Sequence, residues 1–590
     1  MSKRVIVTVL AAAGFFMLWD RLLMPGPQAL AQAPAASTGG AALTPATTED
    51  AAAKGRTPDK AAPEAIGSGL SQEAPGPPGD LEPLRSVTVE TPEYVAVFTE
   101  DGGRLSSFRL RKYRSWEAAG KDSGPMQELV KVPERDGPES LPMSLVYSPL
   151  GGEDEELDRA RFTADSTFIA VGEGGTARLV FTSEELNSGL SITRAYEFAA
   201  GSYAVCQEVR IENAGGKAIA GIFGTTLRAW PFGGRRARHN VMAAVIDGKL
   251  VTGTPNHAAD VLSGMNPVAS ADFLGYMDQY FLTALVLGDP AGNAPADDES
   301  SPWRLAARRL PGRGLAVTAA QPLELAPGAE TSMRFDFFYG PKDTGLLRRE
   351  GHSLFRSVDF GALSFLVRPL LFLLRSVHGI VGNYGIAIVV ATLLIRMGIW
   401  PLAARSFKSM RTIRDLAEPA RQICKMPGAD SATRKRELTE LYSAYGVEPM
   451  SGCLPLVLQI PFFVVFYKVL DRALEFRGSP FTLWIRDLSA PDRLFDFGIW
   501  VPILDPPTGI PALTLLTGAA MVWQQRMTPF AGDPKSSFAV LLPLILVIFL
   551  LNSPSGLVLY CLVSTVLSIL QQKLADRAGG SPVPAGNLPS

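Results

Sequence analysis

The sequence predicts a polytopic α-helical membrane protein that also carries a large all-β domain outside the membrane. The 590-residue chain is 47% hydrophobic with a mean hydropathy of +0.14, which is high for a soluble protein and low for one confined to the membrane. Residues 84–345 alternate β-branched and aromatic residues between turns. Residues 380–575 contain five apolar stretches, and a sixth lies at the N-terminus. We therefore expect six transmembrane helices.

The N-terminal segment, residues 1–24, has a basic start followed by an apolar run. An uncleaved membrane anchor and a secretory signal peptide share this pattern. An Ala-Gln-Ala tripeptide at 31–33 offers a cleavage site, but Pro34 follows it and the site lies far from the apolar run. We favour an anchor whose N-terminus is cytoplasmic. Residues 25–83 are rich in Ala, Pro and Gly, which predicts a flexible linker because such a composition cannot bury a core.

Residues 84–345 are predicted to form an exported antiparallel β-sandwich, since turn residues recur about every ten residues. Sandwiches of this size include sugar mutarotases and lyases, which bring histidines and carboxylates together. Only His239 and His257 fall in this region, and no such constellation surrounds them. A binding or spacer role is favoured over catalysis. Residues 346–379 follow as a predicted amphipathic helix in the membrane interface, because arginines interrupt its apolar residues.

The membrane part is predicted to comprise one helix at 380–402 and four more within 451–575. Between them, residues 403–450 are basic and helical, which indicates a helical hairpin on the cytoplasmic side. Six spans then return the C-terminus to the cytoplasm, with 576–590 as a short tail. The outer segment 471–497 carries four arginines against the positive-inside rule, so the topology there rests on parity.

Composition excludes several classes of function. A net charge of −2 argues against a nucleic-acid binder, which usually carries a basic excess. The four cysteines and four histidines are scattered and form no metal-binding pattern, so neither a metal nor another cofactor is expected. The chain also contains no phosphate-binding loop that would indicate an ATP-driven motor.

Arg396 lies inside the apolar stretch "IVVATLLIRMGIWPL", where insertion scales assign a central arginine about 2.5–3.5 kcal/mol. Thr392 shares its helical face, being four residues away. Gln459 lies within the next span, and Tyr560 and Ser564 lie on the last one. Polar groups on three spans favour a polar, cationic cavity. Snorkelling of Arg396 to the interface is the competing explanation.

The same residues bear on two other functions. An intramembrane protease would need a base beside Ser555, and no histidine lies within the spans. A small-solute transporter or channel with a periplasmic binding domain is the alternative function. A proton- or ion-coupled carrier would normally have an acidic residue inside a span, and the sequence offers none.

Four motifs carry a resemblance to a known family. They are "VGNYGIAIVVATLLIRMGIWPL", "GCLPLVLQIPFF", "SPFTLWIRDLSAPD" and "NSPSGLVLY". Together with the order of the segments, they resemble the YidC family of membrane-protein insertases, of the type with a large periplasmic domain. The resemblance is specific from about residue 336 to residue 573.

The resemblance implies a five-helix insertase core in the inner membrane and a periplasmic β-supersandwich. The core would hold a positively charged groove, closed toward the periplasm, that receives nascent membrane proteins and passes their apolar helices into the lipid. Arg396 would be the family's groove arginine, and the positions of the family's tyrosine pair are Tyr560 and Cys561. With the polar residues Thr392, Gln459 and Ser564, these form the predicted substrate groove. Such proteins act alone or with the Sec translocon, with ribosomes as partners, and they make or break no bond.

Two features depart from the family pattern. The family often has two tyrosines after "SGLVL", whereas this chain has Tyr560 followed by Cys561. Many members also end in a long basic tail that helps hold ribosomes, whereas residues 576–590 are short and barely charged. These departures weaken two expectations, namely a substrate contact at Cys561 and ribosome docking through the tail.

Overall fold

A computed structural model gives the fold of the chain. The predicted anchor at 1–24, the linker at 25–83 and the tail beyond residue 578 lie outside the residues that it describes. The described residues are 85–115, 124–132, 140–150, 155–157, 160–183, 186, 189–232, 241–246, 248–253, 271–287, 303–424, 430–446, 454–495, 497, 501, 504, 508–527 and 537–578.

The β domain predicted at residues 84–345 is present, and its described part contains strands with the alternating burial expected of sheets that have one face in a core. The strands are β1 Ser86–Glu90, β2 Tyr94–Thr99, β3 Arg104–Arg114, β4 Met126–Glu128, β5 Ser144–Pro149, β6 Glu155–Glu156, β7 Phe162–Ala164, β8 Phe168–Ala170, β9 Thr176–Ser183, β10 Leu190–Ala199, β11 Ala204–Asn213, β12 Ile219–Ala229, β13 Val241–Ile246, β14 Lys249–Gly253, β15 Ala271–Met277, β16 Phe281–Val286, β17 Arg304–Leu310, β18 Gly314–Leu325 and β19 Glu330–Pro341.

The described strands form a nine-stranded sheet and two five-stranded sheets. The large sheet has the order β14-β13-β15-β16-β19-β11-β10-β9-β7, and the smaller ones β4-β3-β2-β1-β8 and β17-β18-β12-β5-β6. Pairing is antiparallel except between β1 and β8. One apolar core joins all three sheets, with fully buried aromatic residues such as Phe98, Phe181 and Tyr196. Each such side chain contributes about 1.5–3 kcal/mol on burial.

The described helices follow the β domain along the chain. They are α1 Thr344–Glu350, α2 Ser364–Val381, α3 Tyr384–Asp415, α4 Ala417–Cys424, α5 Ser431–Ala444, α6 Leu454–Arg472, α7 Ala512–Met527, α8 Ser537–Leu550 and α9 Ser555–Ala578.

Residues 346–379, predicted as one interfacial helix, do not form a single helix. The Asp343 carboxylate caps α1 by accepting from the Leu346 amide at 2.8 Å, and α1 ends at Gly351, whose φ of 78° breaks the helix. Helix α2 begins only at Ser364. Helix α3 continues through residue 402 to Asp415, so the predicted span at 380–402 and the first part of the 403–450 hairpin are one helix.

A second apolar core lies among the helices of the membrane part. Many of its fully buried members lie on α2, α3, α6 and α9, including Val367, Leu374, Ala387, Ile388, Phe466, Val469, Leu557 and Val558. A separate small cluster of Ile413, Leu416, Ala420 and Tyr442 packs the end of α3 and α4 against α5. The membrane part and the hairpin therefore each have their own packing.

By length and composition, three of the described helices could cross a membrane: α2, residues Tyr384–Pro401 of α3, and Ser555–Ala575 of α9. The six predicted spans are thus not confirmed as a set. Helix α2 belongs to the segment that is predicted to lie in the interface. Its length and composition would nevertheless also allow it to cross a membrane. It buries one face, including Val367 and Leu374, and exposes Phe372 on another.

Candidate functional site

The side chain of Arg396 on α3 connects three helices of the membrane part. Its Nη2 donates to Oε1 of Gln459 on α6 at 2.8 Å, and its Nε donates to Oγ of Ser564 on α9 at 3.1 Å. Nη2 also donates to the Ser564 hydroxyl. A snorkelling arginine would extend its guanidinium toward the membrane surface. The observed contacts instead direct the guanidinium into the bundle.

A small cavity adjoins the Arg396 guanidinium. Its wall on α3 follows the three- and four-residue spacing of one helical face. The lining residues are Thr392, Ile395, Arg396, Ile399, Ala403, Gln459, Phe462 and Tyr560. The cavity has a volume of about 20 Å³, enough for about one water molecule. The structure therefore brings four of the six predicted site residues to the cavity wall, while Ser564 contacts Arg396 directly.

Among the described residues, no carboxylate bonds to Arg396. Within the described part of the chain, its hydrogen-bond partners are the neutral side chains of Gln459 and Ser564. In a medium of low dielectric constant, a cation with neutral partners attracts a nearby anion more strongly than it would in water. The site is thus suited to receive an acidic group.

Thr392 and Tyr560 form parts of the wall. The Thr392 hydroxyl donates to the Ile388 carbonyl of its own helix at 2.7 Å, and the side chain is almost fully buried. The Tyr560 ring stacks on Phe466 of α6, with 4.2 Å between the ring centroids. Both contacts fix the shape of the cavity at rest.

Cys561 does not line the cavity. It is 1% exposed and packs in the apolar core of the membrane part. It directly follows Tyr560, and neighbouring residues of a helix do not share a face. Within the described residues, Cys561 is thus the predicted site residue that neither lines the cavity nor bonds to Arg396.

The end of the membrane part that faces the β domain is covered by the segment Ser479–Asp492, which contains the "SPFTLWIRDLSAPD" motif. Ser555, at the start of α9, donates its hydroxyl to the Asp487 carbonyl at 2.8 Å and its amide to the Ala490 carbonyl at 2.7 Å. Gly556 packs so closely against Leu470 of α6 that an added Cβ would lie 2.9 Å from a methyl group of that side chain. The "NSPSG" turn between α8 and α9 is therefore held against this segment.

Asp492 and Arg493 complete this cover. The Asp492 carboxylate accepts from the Leu513 amide at the start of α7 at 2.5 Å and from the Trp484 indole at 2.7 Å. Arg493 donates to the Leu551 carbonyl at 2.9 Å and to Asn552 at 3.0 Å. These contacts fasten the segment to α7 and to the end of α8.

Apolar side chains are exposed on the outer faces of α3 and α7. Leu393, Leu394 and Met397 on α3 are 42–62% exposed, and Leu516 and Trp523 on α7 are more than half exposed. An exposed apolar surface of this kind indicates contact with lipid or with an apolar partner. The cationic cavity therefore lies beside surfaces suited to the hydrocarbon phase.

Four wall residues are not predicted from the sequence, namely Ile395, Ile399, Ala403 and Phe462. The signal was available, because Ile395 and Ile399 lie three and seven residues after Thr392, and Phe462 lies three after Gln459. The pattern that predicts the site consists of polar side chains. Apolar residues on the same helical faces form the rest of the wall.

The fold and the site define a membrane protein with a large β domain and a cationic cavity between its helices. Two family models match the chain, "YidC periplasmic domain" over residues 86–373 and "60Kd inner membrane protein" over residues 376–580. The chain belongs to the YidC family of membrane protein insertases, which are inner-membrane proteins.

The relatives that it matches cover nearly the whole chain. The membrane protein insertase YidC of Syntrophobacter fumaroxidans is 32% identical over 500 residues, which are 84% of this chain and 86% of the relative. The YidC of Pelobacter propionicus is 30% identical over 586 residues, which are 98% of this chain and 99% of the relative. The insertase name of these relatives gives no support to the alternative of a small-solute transporter.

Among solved structures, the chain is similar to an active YidC insertase with its first transmembrane domain resolved. That likeness has 16% identity and a TM-score of 0.34, and it covers 83% of this chain and 94% of the other. A galactose mutarotase-like protein from Lactobacillus casei matches 43% of this chain at 11% identity and a TM-score of 0.29. Scores this low carry no argument about activity.

Proposed function

We propose that this chain inserts nascent membrane proteins into the inner membrane, and that the cavity around Arg396 receives a polar segment of the substrate. One observation carries the role of the cavity: Arg396 is a cation within the membrane part whose partners, within the described residues, are neutral. An acidic group of a substrate would supply the missing charge. The exposed apolar faces of α3 and α7 would meanwhile contact the substrate's apolar helix and the lipid.

The proposed topology has the β domain in the periplasm and both termini in the cytoplasm. The hairpin within residues 403–450 then lies on the side where nascent chains arrive. The proposed partners are nascent membrane proteins, membrane lipids, the ribosome and the Sec translocon, the last two by analogy with the family. The proposal includes no cofactor, no bound nucleic acid and no enzymatic step.

Photocrosslinking tests whether a substrate enters the cavity. A photoreactive amino acid would be placed singly at Thr392, Gln459 or Tyr560, and a ribosome-stalled nascent membrane protein would be supplied. We expect crosslinks from all three positions and few from a control position at Phe168, which is exposed on β8. Crosslinking no stronger from the cavity than from Phe168 would contradict the proposal.

Charge reversal tests the role of Arg396. Two unit charges 4 Å apart attract by about 4 kcal/mol at an effective dielectric constant of 20, so Arg396→Glu should lower insertion of a substrate with an acidic exported tail by about tenfold or more. Arg396→Lys should preserve much of the activity. The measurement is insertion in cells depleted of their own insertase.

The matched control is Arg526→Glu, which reverses an exposed charge near the end of α7, away from the cavity, and should change insertion little. Normal insertion by Arg396→Glu would exclude a cationic role for the cavity. The transporter alternative predicts a different result, namely solute flux in proteoliposomes without any nascent chain.

A further inference from the structure

Arg477 extends from the membrane part into the β domain. It lies five residues after the end of α6, in the segment that precedes the cover over the helices. Its Nη2 donates to the carbonyl of Arg114, at the end of β3, at 2.8 Å and to Oε1 of Gln127, on β4, at 2.9 Å. These bonds join positions more than 300 residues apart, on the two sides of the domain boundary.

The acceptor site on the β domain is well ordered. The Gln127 amide nitrogen donates to the carbonyls of Glu128 and Phe232 at 3.0 and 3.1 Å, which directs its oxygen toward Arg477. The side chain of Gln127 is almost fully buried. The site therefore does not have to be ordered when the arginine binds, and such preorganisation lowers the entropy lost on docking.

Aromatic rings complete the site. The central carbon of the Arg477 guanidinium lies 4.5 Å from the centroid of the Phe281 ring and 5.5 Å from that of Tyr280. A cation over an aromatic face contributes about 0.5–1 kcal/mol when exposed and about 2 kcal/mol when desolvated. Asp278 starts the same turn and accepts from the Tyr280 and Phe281 amides at 2.7 Å, which fixes the position of the rings.

Other contacts lie beside Arg477. Leu474 is 8% exposed and packs in the apolar core of the β domain, although it belongs to the membrane part. On α6, Lys468 donates to the Phe360 carbonyl at 3.2 Å, and Arg472 donates to the Asp359 carbonyl. These carbonyls lie in the stretch that leads from the β domain into α2. The end of α6 thus contacts both the domain and its connection.

We propose that the segment Lys468–Arg477 is a docking element that fixes the β domain in one orientation over the membrane part, with Arg477 as its principal contact. Domains joined by a small polar interface usually move relative to each other. Here a buried leucine, the contacts of Arg477 with two aromatic rings and hydrogen bonds from three cations oppose that motion. The β domain is held as a rigid extension of α6, the helix that also carries Gln459.

Distance measurements on the full chain in lipid nanodiscs test this proposal. The native cysteines would be replaced, and spin labels would be attached at Ser332→Cys on β19 and Thr482→Cys on the cover segment, both exposed positions. We expect one narrow distance distribution. Arg477→Ala should widen it about twofold or more, since free domains at small interfaces move. Arg477→Lys, which keeps the charge without the fork of donors, should give an intermediate width.

Two further variants make the result decisive. Arg349→Ala removes an exposed arginine of α1, close to the boundary in sequence, and should leave the distribution narrow. Gln127→Leu removes the acceptor on the β domain and should widen the distance distribution. This variant provides the test if Arg477→Ala fails to fold. Circular dichroism melting would establish that each variant is folded. Narrow distributions in folded Arg477→Ala or Gln127→Leu would overturn the proposal.

Discussion

The hydrogen bonds of Arg396 make a testable prediction about the stability of the membrane part. Ser564 is fully buried on α9, and its hydroxyl accepts from Nε of Arg396 at 3.1 Å and from Nη2. Ser564→Ala removes this acceptor with little change in volume. Arg396 then keeps Gln459 as its partner, and one link between α3 and α9 is lost.

Two reference magnitudes bound the effect. Hydrogen bonds between membrane helices average about 0.6 kcal/mol, with values up to about 1.7 kcal/mol. Bonds that involve a charged group contribute about 1.5–3 kcal/mol in proteins generally. Because the donor is a guanidinium and the site is within the membrane part, we expect Ser564→Ala to lower the free energy of unfolding by about 1–2 kcal/mol.

A double-mutant cycle isolates this bond. The free energy of unfolding would be measured for the wild type, Ser564→Ala, Arg396→Met and the double variant, by denaturing titration of the purified full chain in mixed micelles. Ser564→Ala should have a much smaller effect when Arg396 is already methionine. The difference between the two effects is the coupling energy, expected at about 1–2 kcal/mol.

Ser568 supplies a matched control on the same helix. Its hydroxyl donates to the Ser564 carbonyl at 2.9 Å, within α9, and it does not depend on Arg396. Ser568→Ala should have the same effect with either residue at position 396. If Ser564→Ala also has the same effect in both backgrounds, the bond between Arg396 and Ser564 does not contribute and the reasoning is refuted.

Two groups of the β domain lead to further predictions. Burial raises the pKa of the Cys206 thiol to about 12, and the neighbouring Asp336 carboxylate adds to the shift. Iodoacetamide at pH 8 should therefore alkylate Cys206 more slowly than a free thiol, by a factor of about 100 or more, and Asp336→Asn should speed the reaction. Mass spectrometry follows the alkylation, and rapid alkylation of the wild type would contradict the prediction. Burial lowers the pKa of Lys342 from 10.5 to about 8. Between pH 8 and pH 10.5, the amine of Lys342 is therefore protonated in the unfolded chain and mostly neutral in the folded chain. Stability relative to Lys342→Met should rise by about 1 kcal/mol from pH 8 to pH 9 in urea titrations, and an unchanged difference would argue against a buried lysine.

Much of the cavity could be predicted from helical periodicity. Thr392 and Arg396 are four residues apart, as are Tyr560 and Ser564, and each pair shares a face. Periodicity does not decide the placement of Cys561, because this residue follows Tyr560 directly but lies only three residues before Ser564. Cys561 entered the predicted site through resemblance alone. Its burial in the apolar core depends on how the helices pack, which neither the family position nor periodicity specifies.

The partners of Arg396 could be predicted only as a class. The sequence indicates that polar groups from three spans meet, but not which nitrogen binds which oxygen. That choice depends on the rotation and height of α6 and α9 relative to α3. These are set by the packing of many apolar residues, such as Phe466 and Val558, whose contacts the sequence does not specify.

The outer arginines show a clearer limit of sequence reasoning. The segment 471–497 appeared to conflict with the positive-inside rule. In the structure, Arg472 donates to the Asp359 carbonyl, Arg477 to Gln127 and Arg493 to Asn552. These arginines are therefore occupied by structural contacts. Periodicity carries no information about such pairs, because they join distant parts of the chain.

The closed end and the small cavity together constrain how a substrate reaches Arg396. The cover held by Asp487, Asp492 and Arg493 blocks the end that faces the β domain. A cavity of about 20 Å³ holds about one water molecule, so under the proposed function a chain that reaches Arg396 would have to widen the space between the helices. Separation breaks the bonds from Arg396 to its neutral partners. An acidic group can replace those partners and form a stronger bond, because both charges then lie in a medium of low dielectric constant. Under the proposed function, opening of the bundle and binding of an acidic segment would therefore be linked through Arg396, and a substrate without an acidic group near its polar end would gain less from opening it.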